Sequence, residues 1–280
     1  TLKEVPRFKR IYSLASILGS GYIEIPKLKM DFGPIFSSIG FNDVEGWRLR
    51  AGGRTYFGPH DTWRIQGYTA YGFQDHQFKY GISGKWMVNN KKRIILSAGN
   101  RRDVEQIGVS LTTSNDVLGR SFASSSFFSS GVNNKLTSVN LTTFGFEIEP
   151  KKNLTFQANL SYRTLKSASS QFSLDYYTDD TYTTTKSDVT QSEINLVAEY
   201  TPGRKTVGYG VERLDVDFNY ARIFLSYSRG FKGVIDSDFQ YDKLQFFYRQ
   251  PVLIGGFGRL FTTLEVGKIF GQVPLGLMGV

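Results

Sequence analysis

Trp47-Arg48-Leu49-Arg50-Ala51-Gly52-Gly53-Arg54-Thr55-Tyr56-Phe57 alternates two chemistries residue by residue. Trp47, Leu49, Ala51, Gly53, Thr55 and Phe57 share one parity, and Arg48, Arg50 and Arg54 share the other. Successive strand side chains point to opposite faces, so the stretch predicts a strand with one apolar and one cationic face. Two neighbouring segments repeat the pattern. The first sets Trp63, Ile65, Thr69, Tyr71 and Phe73 against Arg64, Gln66 and Tyr68, and the second sets Phe78, Tyr80, Ile82, Trp86 and Val88 against Lys79, Ser83 and Lys85. Trp47 and Phe57 are ten residues apart, as are Trp63 and Phe73. At roughly 3.3 Å per residue and a tilt of about 45°, the aromatic ends of each strand lie roughly 23 Å apart along a membrane normal. A barrel in an outer membrane has an apolar band about 25 Å tall with aromatic girdles at both edges. Trp47, Phe57, Trp63, Phe73 and Trp86 are therefore expected in lipid-facing or girdle positions, and Arg48, Arg50, Arg54, Lys79 and Lys85 in the lumen.

Composition agrees with this reading. No run of about 18 apolar residues is present, which excludes membrane-spanning helices. A polar mean hydropathy is compatible with a barrel, because only every second residue of a strand faces lipid. Sixteen Tyr, 23 Phe and 29 Gly favour strands and tight turns. The absence of cysteine rules out disulfides and thiolate metal sites. The net charge of +9 would suggest nucleic acid in a soluble protein. Here many of the cations alternate with lipid-type residues, so nucleic acid is not expected; lipopolysaccharide phosphates and lumen carboxylates suit them better.

Along the chain, residues 1–20 read as a lead-in segment and 21–280 as the barrel. A first strand is expected at 22–32, weakened on one side by Pro26. Polar turns at 58–61, 74–77 and 89–92 separate the alternating runs, and a strand follows at 93–100. A Ser-rich stretch at 115–134 interrupts the spacing before strands at 138–148 and 154–163. Residues 165–190, rich in Ser, Thr, Tyr and Asp, read as a long exposed loop. Further strands are expected at 193–200, 207–211, 220–228, 241–250 and 259–269. The sum is an all-β, transmembrane antiparallel β-barrel of about twelve strands, whole or part of a larger barrel. By the rule of short periplasmic turns and long outer loops, Pro59, Asn90, Pro150 and Pro202 face the periplasm. The chain opens on Thr1 without a leader pattern and stops at Val280 without a terminal aromatic strand. It thus reads as processed or as part of a longer protein, with the barrel incomplete at its C-terminal end.

Several runs carry a family resemblance: Glu45-Gly46-Trp47-Arg48-Leu49-Arg50-Ala51-Gly52-Gly53-Arg54-Thr55, Gly67-Tyr68-Thr69-Ala70-Tyr71-Gly72, Phe78-Lys79-Tyr80-Gly81 and Arg102-Asp103-Val104-Glu105-Gln106. The likeness continues through Ser237-Asp238-Phe239-Gln240-Tyr241-Asp242-Lys243 and Glu265-Val266-Gly267-Lys268-Ile269-Phe270-Gly271-Gln272-Val273-Pro274. The chain resembles, over roughly 15–275, an uncharacterised family of Bacteroidota outer-membrane proteins. That resemblance implies a carboxypeptidase-regulatory-like β-sandwich ahead of a large barrel, the sandwich being absent from this chain, and it implies no activity.

Chemistry is sparse. The two histidines, His60 and His76, both sit in turns, and no Gly-x-Ser-x-Gly elbow or His-Glu-x-x-His motif is present. No catalytic residue, cofactor or metal is expected. The three arginines of the first strand have two readings: an anion-attracting pore lining, or pairing with acids such as Glu105, Glu147, Glu193 and Glu199 in a plugged lumen, since an unpaired buried charge is costly. Arg229-Gly230-Phe231 invites comparison with a tripeptide in the lumen loop of barrel-assembly proteins, although a strand end explains it equally, and Gly255-Gly256 reads as a turn. The leading expectation is a non-enzymatic outer-membrane protein, a scaffold or accessory subunit for envelope assembly, export or uptake, contacting outer-membrane lipid, lipopolysaccharide and other envelope proteins. The alternatives are a solute-conducting pore with a basic lumen and an outer-membrane hydrolase built on His60 or His76.

Overall fold

In a computed structural model of the chain, the alternating segments form strands that pair with their sequence neighbours. The structure describes residues 21–55, 60–106, 136–169, 172–178 and 183–274, with Ile17, Gly58, Thr181, Leu277 and Met278. Expectations for 1–20, apart from Ile17, for Phe57 and Pro59 and for the stretch 115–134 lie outside the described residues.

Strands β1 (Ile23–Ile25), β2 (Met30–Phe32), β3 (Ile39–Asn42) and β4 (Gly46–Thr55) open the sheet. The long strands β5 (Trp63–Gly72), β6 (Phe78–Asn89), β7 (Ile94–Gln106), β8 (Leu136–Lys151) and β9 (Leu154–Ser167) follow. Then come the short pair β10 (Tyr176–Tyr177) and β11 (Thr185–Lys186), and β12 (Asp188–Tyr200). A second short pair, β13 (Thr206–Val207) and β14 (Leu214–Asp215), precedes β15 (Arg222–Phe231), β16 (Tyr241–Leu253) and β17 (Arg259–Phe270). Thirteen strands make one antiparallel sheet in the order β1-β2-β4-β5-β6-β7-β8-β9-β12-β15-β16-β17, with β3 also on β4. The fold is all-β, and the strand count is close to the dozen expected. No pairing among the described residues joins β1 to β17, so the sheet has two edges.

Burial runs opposite to that of a water-soluble sheet. Along β6, Lys79 and Ser83 are buried, whereas Phe78, Tyr80, Ile82, Trp86 and Val88 are exposed, Phe78 to 71%. The exposed apolar face continues through Leu96, Phe144, Leu160, Leu196, Leu225, Leu244 and Val266. The buried face carries Arg48, Arg101, Asp103, Gln191, Glu193 and Lys243. This face is concave. Arg48 of β4 hydrogen-bonds Asp103 of β7, three strands away, a span of about 14 Å on a flat sheet.

Three expectations need correction. The strand at 22–32 is a hairpin: Pro26 stops β1, Leu28 N–H bonds Ile25 O, and Lys29 turns the chain at φ 50° into β2. The strand at 207–211 is only the short β13, because 201–221 leaves the sheet to cross one end of its concave face. The segment 165–190 is not merely a solvated loop: β9 and β12 run into it from both sides, and Leu165, Leu174 and Val189 are buried together with Val139, Tyr241 and Leu277.

Candidate functional site

The concave face holds its charges in three groups. The first surrounds Arg48, which is 1% exposed in β4. Its guanidinium donates to Glu45 Oε1 and to Asp103 Oδ1, both at 2.8 Å, and to Asp103 Oδ2 at 3.1 Å. Glu45 also pairs with Lys79 Nζ at 2.7 Å and accepts from Asn42 Nδ2 at 2.7 Å. Lys79 reaches Asp75 at 2.5 Å, and Tyr68 Oη donates to Asp103 at 2.5 Å. Gly72 makes room for this group, since a Cβ there would lie 3.0 Å from Lys79 Nζ and 3.0 Å from Glu45 Cβ. Each buried charge thus meets an opposite one, the condition under which such burial is tolerated. Nearby, Arg54 pairs with Asp31 at 2.9 Å, and Arg50 donates to Ser37 and stacks over the Tyr68 ring.

The second group lies at the end formed by residues 60–62 and the turns 90–93, 150–153 and 254–258. There residues 201–221 fold back as a cap. Val211 packs against Met87 and Ile95, whose side chains point inward. Its N–H bonds Asp61 O at 2.8 Å, and Arg93 donates to Gly210 O at 2.8 Å. Arg213 reaches Glu149 at 2.7 Å, Asn153 Nδ2 reaches Arg204 O at 3.0 Å, and Glu212 pairs with Arg64. Glycine is required at 210, where a Cβ would lie 2.6 Å from the Asp61 backbone.

The third group lies at the opposite end. Tyr241 donates to Glu193 beneath the apolar plug of Val139, Leu165, Leu174, Val189 and Leu277. Gln191 donates to the backbone of Phe239 at 3.0 Å and accepts its N–H at 3.1 Å. Lys186 of β11 bonds Asp238 at 2.7 Å, and Asp238 accepts the Thr190 N–H at 2.7 Å. The hydrogen bond to Asp238 raises Lys186 above the ordinary lysine range despite some desolvation.

Of the candidate residues, Arg48 and Lys79 are buried on the concave face, and Arg50, Arg54 and Lys85 are partly buried there. Trp47, Trp63, Phe73 and Trp86 stand exposed. Arg48 pairs with Glu45 and Asp103, and Arg54 with Asp31, in place of the expected Glu105, Glu147, Glu193 and Glu199, because those two arginines meet acids of the adjoining turn and of strands brought close by the curvature. Arg229 projects from the exposed face, 3.7 Å from Asp242, and lies in β15, not in a loop of the interior. Gly255-Gly256 forms the expected turn between β16 and β17. The histidines lie at opposite ends of β5; His60 stacks on Tyr209 at 4.7 Å, and His76 Nδ1 is 3.4 Å from Tyr71 Oη. Among the described residues no group of three His, Cys, Asp or Glu has the geometry of a metal site.

A profile described as the C-terminal domain of a family of unknown function, DUF5686, matches residues 15–278. The chain belongs to the DUF5686 family. No curated protein sequence matches it. The match covers the first ionic group, the cap and the plug alike, so in this DUF5686 domain all three belong to one family unit.

Proposed function

We propose that this DUF5686 domain is a β-barrel, or part of one, in the outer membrane of a Bacteroidota bacterium, and that it serves as a non-enzymatic scaffold or accessory subunit of an envelope assembly, export or uptake complex. The observation that carries the reading is the inverted burial: an apolar face turned outward and ion pairs turned inward. In water such a sheet would expose far more contiguous apolar area than a soluble monomer does. In a bilayer the same face is solvated by acyl chains.

The scaffold role is favoured over conduction by what fills the concave side. The arginines that would line an anion path are engaged by Glu45, Asp103, Asp31 and Ser37. The cap spans one end, and the apolar plug occupies the other. A hydrolase is disfavoured because His60 and His76 lie at opposite ends of a strand, each against a tyrosine.

Purification from native membranes in mild detergent, followed by planar-bilayer recording, tests the reading. The protein is expected to insert, to remain electrically silent, and to carry other envelope proteins with it in fixed proportion. Steady anion-selective conductance would replace the scaffold with a pore.

A further inference from the structure

We propose that the exposed face of β8, β9, β12, β15 and β16 is a binding site for a phosphorylated, multiply acylated glycolipid of the lipid A type, a site that rests on the membrane reading above. The first observation is a groove of about 380 Å³ on that face. Register explains it. One outward row runs Phe146, Ala158, Leu196, Tyr227, Leu244, and the next runs Phe156, Ala198, Leu225, Phe246. Ala158 and Ala198 are the small members of their rows, so the large side chains around them become walls and the two alanines the floor. The groove reaches from β8 to β16, four strand spacings or about 19 Å. That breadth suits several acyl chains side by side.

The second observation is charge at one rim. The row beyond Tyr227 and Leu244 pairs Arg229 with Asp242, about 6.6 Å further along the strands. Lys268 continues the Leu244 row on β17. Both cations are exposed where the apolar rows of β15, β16 and β17 end, and Lys268 Nζ lies 5.0 Å over the Phe270 ring. Asp242 does not fully engage Arg229: its Oδ1 accepts from Tyr227 at 2.5 Å and stands 3.7 Å from the guanidinium. Two cations and one carboxylate leave a net positive charge at the rim. By register their Cα atoms are two strands and two residues apart, or about 12 Å, a separation that lets long side chains take two phosphates on one headgroup. The rim lies at the end opposite the turns 90–93, 152–153 and 254–258 and the 201–221 cap; with those three short turns taken as periplasmic, it falls in the outer leaflet.

The test uses delipidated protein in nonionic detergent, with native mass spectrometry as the readout. Lipid A, monophosphoryl lipid A, phosphatidylglycerol and inorganic phosphate are the probes. Lipid A is expected to bind best, monophosphoryl lipid A more weakly, and free phosphate not measurably. Arg229→Gln combined with Lys268→Gln should lower lipid A affinity about tenfold, the equivalent of one charged hydrogen bond. Ala198→Phe, which fills the floor without adding polarity, should weaken both glycolipids alike. Lys151→Gln with Lys152→Gln, at the opposite end, should change nothing. Equal binding of lipid A and phosphatidylglycerol, or an unaffected double variant, overturns the site while leaving the membrane reading intact. Failure to insert into outer-membrane lipid vesicles overturns both.

Discussion

Arg48 shows how a single side chain holds several strands. It sits in β4, yet its partners are the acid of the preceding turn, Glu45, and Asp103 of β7. Removing the guanidinium would leave Glu45 to Lys79 and Asn42, and Asp103 to the neutral donors Tyr68 Oη and Val104 N–H, so two buried carboxylates would lose the cation they share. Arg48→Met is therefore expected to destabilise the fold by about 3–5 kcal/mol, as measured by urea unfolding in detergent. Arg48→Lys, which keeps the charge but loses the fork to Asp103, should fall between the two. A Met variant as stable as the parent would mean that the network adds nothing to stability. Lys186 offers a test by pH. Its pKa is raised in the folded state by Asp238, so the stabilisation is complete below the unfolded lysine value of roughly 10.4 and is lost as pH rises through the higher folded value. Proteolysis of the 172–187 segment should stay constant from neutral pH to about 10 and accelerate only beyond that; acceleration already near neutrality would show that another contact holds the segment.

Among the elements, the strands were legible and their terminations less so. Alternation marks β4, β5 and β6 because the large aliphatic and aromatic residues there fall mostly on one parity and every Arg and Lys on the other. Pro26 suggests a weakness inside one strand, but it ends β1 and begins a turn. The cap was not legible: Val207, Tyr209 and Val211 alternate like a strand, and only the approach of Gly210 to Asp61 and of Arg213 to Glu149 reveals their place. Asp103 and Glu105 share a parity in β7 and could have been matched to Arg48 by face, but pairing across three strands depends on curvature that no local pattern encodes. Leu174 was lost among its polar neighbours for a similar reason. Replacing 204–218 by a Gly-Ser linker should leave the protein silent in planar bilayers and its far-ultraviolet circular dichroism unchanged, because the plug still fills the opposite end. Conductance in that variant would show that the cap alone is the barrier. On the opposite face, Leu160 lies near the middle of β9 and is exposed. Leu160→Arg should cost about 2–4 kcal/mol of stability in bilayers if it lies at mid-depth; an unchanged unfolding midpoint there would argue against the assignment of faces.

For the whole molecule, the question is which solvent makes the fold sensible. The sheet buries ions and exposes aromatic and aliphatic rows, and its last strand, β17, has Leu264 and Val266 exposed and no further partner among the described residues. In water, such a strand is a template for aggregation. In a bilayer its apolar side chains are at home, and its free edge calls for pairing, since hydrocarbon cannot satisfy backbone groups. The three tryptophans provide a direct probe, because Trp47, Trp63 and Trp86 are all exposed on the apolar face. Trp63 and Trp86 are cross-strand partners near the short-turn end, and Trp47 begins β4 at the other end. Protein reconstituted into lipids brominated at defined acyl positions should lose most of its fluorescence, with quenching strongest for bromines near the headgroups and weakest for those near the bilayer centre. Acrylamide in the aqueous phase should have little effect. The reverse ranking, with acrylamide dominant and bromine inert, would mean that this face meets water or another protein, and the membrane reading would fall with it.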